Sequence, residues 1–252
     1  MADTLASLAA SVARLRSIVD RLTGDDLTTQ AYPTEWTIAD VLSHVGSGAV
    51  IMRRGLIDTV AGVATPADFN QSVWDEWNAK TPAAKAVDAL TADANLMDAL
   101  GAVTAEQRES ARFAIGPMQL EFEAFAQLRL NEHALHTWDV EVVGDPSAIV
   151  PAAQTDVIID NLFMIAGWVG KVAGETRTVT IATQSPSRHF TLAVGPERVA
   201  LSPSDLSDSA DATLPAEAFI RLVYGRLDAA HTPADVVGGA VLDGLRQVFP
   251  GF

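Results

Sequence analysis

Glu132 and His136 stand four residues apart in a stretch that reads as helix. At about 100° per residue, two such side chains leave the axis in nearly the same direction. Met118, Phe125, Leu128 and Leu135 fall within the same arc, and Asp139 joins it. That face starts apolar and turns ionisable while still pointing at the core. Burying a carboxylate beside an imidazole is costly without a partner, and a cation is the simplest one. His133 points off this arc and is expected at the surface, whereas Arg129 lies near it, placed to pair with a neighbouring acid. A third candidate, His44, sits on the flank of another apolar stripe, in line with Val41, Gly48 and Ile51. Two imidazoles and a carboxylate suit Zn²⁺ or another borderline divalent ion and leave coordination positions open to water or substrate. Each piece alone has a plainer reading: Glu132 with His136 as a surface ion pair, His44 as a core histidine. Their joint inward placement brings the metal reading level with these plainer ones.

The elements that must hold these residues follow from periodicity. Leu5, Leu8, Val12, Leu15, Val19 and Leu22 recur at helical spacing, with Asp3 to cap the helix and Gly24 to end it. Pro33 disfavours helix at Tyr32. Thr37 and Asp40 form a capping-box pattern, and Ile38, Val41, Leu42 and Val45 are the apolar stripe of the helix that holds His44. Residues 66–82 read as a long loop or short helix with Phe69, Trp74 and Trp77 packed over the helices. Helix resumes over 85–103 through Val87, Leu90, Leu96, Met97 and Leu100. Gly116-Pro117 breaks the chain before the Glu132 helix, expected over about 118–140, and one more apolar helix runs from Pro151 to near Lys171. Short connections predict antiparallel neighbours and a four-helix-type bundle.

After Gly174 the texture changes. Residues 177–183 and 188–194 alternate with β-branched side chains, Gly195-Pro196 turns the chain into Val199-Ala200-Leu201, and 211–214 is another short strand. Pro215 opens a helix through Phe219 and Leu222 that stops at Gly225. A terminal helix follows through Val241, Leu242, Leu245 and Val248. The expected fold class is therefore α plus α+β, with a helical bundle over 1–150 and a connecting helix with a small α/β domain over 151–252.

A formal net charge of −15 argues against a nucleic-acid partner, because a duplex repels such a surface unless a local basic stripe overrides it. Arg53-Arg54 is no such stripe. The absence of cysteine removes disulfides, thiolate ligands and a protein thiol nucleophile together, so any thiol chemistry must use a small-molecule thiol. Met1-Ala2-Asp3-Thr4 lacks the start of a signal peptide, and the apolar stretch 157–169 is too short for a bilayer, so no membrane partner and a cytoplasmic protein are expected. Arginine outnumbers lysine and alanine is abundant, which fits a GC-rich genome.

Two runs resemble hallmark segments of a known family: Trp36-Thr37-Ile38-Ala39-Asp40-Val41-Leu42-Ser43-His44 and Glu132-His133-Ala134-Leu135-His136-Thr137-Trp138-Asp139. They look like those of the mycothiol-dependent maleylpyruvate isomerase family, within the wider DinB-like group of metal-binding four-helix bundles. The tail adds Asp211-Ala212-Thr213-Leu214-Pro215-Ala216-Glu217-Ala218-Phe219, then Gly225-Arg226-Leu227 and Val237-Gly238-Gly239, which resemble a sterol-carrier-like domain. It departs from the pattern at Gly238-Gly239, where Gly-Asp is common in the family.

The resemblance implies His44, Glu132 and His136 as metal ligands, with Zn²⁺ the expected ion and mycothiol the thiol cosubstrate. It implies Arg226 as a catalytic arginine that binds a substrate carboxylate, against the plainer reading of a solvated residue after a helix C-terminus. Isomerisation or S-transfer on an electrophilic small molecule is the expected activity. A zinc-water hydrolase on the same ligands, or a non-catalytic metal- and ligand-binding protein, stays open at this point, as do monomer and homodimer.

Overall fold

Asp3 accepts from the backbone N–H groups of Leu5 and Ala6 and so starts α1 (Thr4–Val19). The computed structural model describes residues 3–116, 118–205 and 209–251. The helix ends at Asp20 rather than at Gly24, and its buried face is rotated from the expected one: Thr4, Ser7, Leu8, Ser11, Leu15 and Ile18 point inward. Ser11 turns to the core because a buried histidine, His133, receives it there at 2.8 Å.

The Thr37 and Asp40 side chains cap α2 (Ile38–Ala61) reciprocally, as a capping box should. Ile38, Val41, Leu42 and Val45 are buried, as expected. Residues 66–82 contain α3 (Phe69–Asn78), which buries Trp77 and leaves Trp74 exposed. A Cβ on Gly46 would lie 2.2 Å from the Trp77 ring, so glycine there lets α3 close onto α2. Thr81 caps α4 (Pro82–Ala102), which starts three residues earlier than the apolar pattern indicated. Its inward face runs through Ala86, Ala89, Leu90, Asp93, Leu96 and Leu100, while Val87 is exposed.

The short α5 (Ala105–Ser110) leads into a hairpin of β1 (Phe113–Ile115) and β2 (Met118–Leu120). Met118 therefore lies on a strand, and the expected helix begins only at α6 (Phe122–Gly144). Gly116 adopts φ 55° at the turn, and Pro117 lies outside the described residues. Residues 133–140 of α6 are buried without interruption. Helices α1, α2, α4 and α6 form the bundle: α1 packs on α4 and α6, and α2 packs on the same two. Asp3–Asp145 is one compact unit, and the chain from Pro146 onward is a second.

In the second unit the helix expected from Pro151 to Lys171 is two pieces, α7 (Ala152–Ile158) and α8 (Leu162–Val169). A 3-10 turn at Ile159–Asn161 separates them, where the Asn161 side chain donates to Val157 O at 3.0 Å and competes with the helical ladder. Then come β3 (Arg177–Gln184), β4 (Arg188–Val194), β5 (Val199–Pro203) and β6 (Ala212–Pro215) in spatial order β5-β4-β3-β6. The pairs are antiparallel except β3 with β6, which is parallel: β5 and β6 are the two edges of the sheet, so they are joined by a crossover rather than a hairpin, and α9 (Ala216–Val223) follows β6. Ile181 opposite Phe190 and Leu192 opposite Leu201 set the buried face of the sheet. The whole of α9 is buried against β3 and β6, and α10 (Gly239–Val248) closes the chain. No helix among the described residues is long and apolar enough to cross a membrane.

Candidate metal centre

The capping box fixes where α2 begins, so His44 falls in its second turn on the flank of the buried stripe, with 45% of its side chain exposed. On α6, Glu132 and His136 share a face, and that face meets His44. His44 Nε2 is 3.4 Å from Glu132 Oε2, His136 Nε2 is 3.6 Å from the same oxygen, and the two imidazole centroids are 4.6 Å apart. All three donor atoms lie within 4.8 Å of one another.

These separations are long for hydrogen bonds but right for ligands of one ion. Bonds of about 2.0–2.1 Å in a tetrahedral set keep adjacent donor atoms about 3.3 Å apart. The arrangement therefore fits a divalent cation. Glu132 keeps 48% of its side chain open to solvent, so one side of the set is accessible.

Two partners prepare the set. His136 Nδ1 lies 2.8 Å from Asp139 Oδ2, and Asp139 is fully buried. With Nδ1–H donating to that carboxylate, Nε2 is left as the lone-pair nitrogen facing Glu132. Desolvation pushes the Glu132 carboxyl up, but hydrogen bonds and charge from His136 and then His44 hold it well below the usual carboxylate range. Glu132 is accordingly an anion at neutral pH. Trp36, just before α2, stacks near both imidazoles, 5.1 Å from His44 and 5.9 Å from His136 between centroids. Its position in the His44 run was visible in the sequence, but its role as a wall for both rings was not.

His133 is not at the surface. It is completely buried, with Nε2 3.0 Å from Asp93 Oδ2 and Nδ1 2.8 Å from Ser11 Oγ. Arg129 is buried too, and the acid it pairs with is no neighbour on its own helix: its Nη2 donates to Asp93 Oδ1 on α4 at 2.5 Å. Burial pushes the Asp93 carboxyl up, yet its pairing with His133 and Arg129 holds it below its ordinary value. Burial pushes His133 down, so it stays neutral where a free imidazole would take a proton.

Arg226 lies in the second unit and is buried, not solvated. Gly225 (φ 71°) makes the turn before it, and a Cβ there would lie 2.2 Å from Gly251 Cα. The Arg226 Nη1 donates to Tyr224 O at 2.8 Å. Its backbone is held by Arg221: Arg226 N donates to Arg221 O at 2.6 Å, and Arg221 Nη1 donates to Arg226 O at 3.3 Å. A bidentate pair with Glu217 fixes Arg221 in turn.

A helical bundle followed by a small sheet unit is also the architecture of two solved structures. The chain is similar to a crystal structure of the mycothiol-dependent maleylpyruvate isomerase, at 15% identity and a TM-score of 0.64, over 88% of each chain. A histidine-to-alanine mutant of that enzyme matches at 14% identity with the same TM-score and coverage. At these identities the likeness concerns the fold. No curated protein matches the chain by sequence. The family model described as the mycothiol maleylpyruvate isomerase N-terminal domain matches residues 8–141, more than half of the chain. The chain belongs to the mycothiol maleylpyruvate isomerase family.

Proposed function

We propose that this protein is a metal-dependent cytoplasmic enzyme that uses mycothiol for isomerisation or S-transfer on an electrophilic small molecule. The observation that supports it most is the convergence of His44, Glu132 and His136 on one point open to solvent, in a chain of this family. On this reading residues 1–150 are the DinB-like metal-binding domain, and 151–252 supply the connecting helix and a sterol-carrier-like domain.

His44, Glu132 and His136 would hold the ion, for which Zn²⁺ is the proposed identity. An ion held there would supply the positive charge that lowers the pKa of a thiol, so that the sulfur would be a thiolate near neutral pH. Asp139 keeps His136 in the tautomer that presents Nε2, and Trp36 restricts the turning of both imidazoles. Arg226 is the proposed residue for a substrate carboxylate, its guanidinium offering a planar fork of donors. The reaction class is addition of the thiol sulfur to an unsaturated carbon. Elimination after bond rotation returns the thiol and an isomerised double bond, and retention of the adduct gives S-transfer.

The test is metal analysis of the purified protein, then titration of the Co²⁺-substituted form with mycothiol. One equivalent of metal and a thiolate-to-cobalt charge-transfer band are expected, and His44→Ala, Glu132→Ala and His136→Ala each abolish stoichiometric binding. A full equivalent of metal retained in all three variants refutes the site. Metal binding with no such band, together with water-dependent cleavage of an amide or ester, turns the reading to a hydrolase.

A further inference from the structure

The helix that bears Glu132 and His136 bears a second pair at the same spacing, Arg129 and His133. It lies three residues earlier, and so about 60° round the axis. Both members of that pair end on Asp93, one on each carboxylate oxygen. Asp93 belongs to α4, which stands diagonally across the bundle from α6. The same Arg129 Nη2 also donates at 3.0 Å to the carbonyl of Val45, the residue after His44 on α2. Gly48, one turn on, leaves the space this needs, since a Cβ there would lie 3.3 Å from Arg129 Nη1. Through Ser11 the cluster also reaches α1. Asp93, Arg129 and His133 are 1%, 3% and 0% exposed.

A helix normally finds its rotation from one apolar face. Over 133–140 α6 has no exposed face, so burial alone distinguishes poorly between rotations there. A turn of about 60° would point Arg129 and His133 in the direction that Glu132 and His136 now face, about 4.5 Å nearer the start of the helix. Directional bonds to one fixed acid remove that ambiguity, as buried polar groups do where they specify register.

We propose that Asp93 and Arg129 are positioning residues for the metal centre: their clamp fixes the rotation of α6 and its distance from α2, and so sets Glu132 and His136 against His44. The clamp rests on the metal reading above, and its test is separable from it. The full-length protein is prepared metal-free, and Co²⁺ binding and the cobalt absorption spectrum are measured beside the unfolding midpoint. In Arg129→Met/Asp93→Asn no buried charge is left unpaired, and the new amide keeps an acceptor for His133. The expected result is a folded protein whose Kd for Co²⁺ rises about tenfold or more, with an altered ligand-field spectrum. Arg129→Lys keeps the charge but not the fork that spans Asp93 and Val45, and is expected between wild type and the double variant. Should the double variant not fold, Arg129→Lys decides alone: a raised Kd with the fold kept supports the clamp, and a wild-type Kd overturns it. A folded double variant with wild-type affinity and spectrum also overturns it. Wild-type protein that binds no Co²⁺ overturns the metal reading itself, and the clamp with it.

Discussion

Asp139 Oδ2 stands 2.8 Å from His136 Nδ1, across the ring from the nitrogen that faces Glu132, and Asp139 is wholly withdrawn from solvent. A carboxylate so placed makes the far side of the imidazole more basic and holds the ring still.

Asp139→Ala is therefore expected to weaken divalent-metal binding by about 10–100-fold, although Asp139 is not itself a donor in the set. Asp139→Asn keeps a carbonyl acceptor for Nδ1–H and is expected to lose less. Competition with a chromophoric chelator reads both. Unchanged affinity in Asp139→Ala means that the tautomer is set some other way.

The pH dependence of folding is expected to report His133. Burial lowers its pKa from the ordinary 6.5, against the opposing pull of Asp93. The unfolded chain takes up this proton near pH 6.5, where the folded protein does not. The unfolded state then binds more protons, so stability is fully present above that window and falls as pH drops through it toward the lowered folded value. Denaturant midpoints of metal-free protein between pH 8 and 5 should fall for wild type. His133→Gln should be less stable at pH 8 and show a shallower decline. An equal slope in both proteins would remove His133 from the account.

Arg226→Ala carries two separable expectations. Loss of a buried donor to Tyr224 O costs about 1–3 kcal/mol of stability. If Arg226 also binds a substrate carboxylate, mycothiol-dependent turnover of a carboxylate-bearing electrophile falls by about 10–100-fold at temperatures where the variant is folded, with metal content unchanged. Arg226→Lys should restore part of both. A variant that is destabilised yet turns over at the wild-type rate assigns Arg226 to structure alone.

The parts of the fold that local chemistry dictates could be read from the chain. Thr37 and Asp40 cap α2 because capping needs only neighbours, and Glu132 and His136 share a direction because helical spacing forces it. The strands of the second unit follow from β-branched alternation. What escaped depends on partners far along the chain. Ser11, Asp93 and His133 are polar, and polar residues read as solvent-facing until their mates are known; each is inward because the others are. Met118 fell on a hairpin since a short apolar stretch fits strand and helix alike. Arg226 follows Gly225, against which Gly251 packs, a contact between residues that no local pattern joins.

The uninterrupted burial of residues 133–140 has a consequence for how such a sequence ages. Most helices keep an outward face where mutations accumulate at no cost, and their lineage blurs there first. This one has no such face over eight positions, so nearly every substitution there meets a packed neighbour or strands a hydrogen bond. Neutral drift is pushed into the rest of the chain, such as the exposed faces of α1 and α4 and the strand edges of the second unit. A family diverging in this way would keep the imprint of this helix long after the remainder had become hard to align.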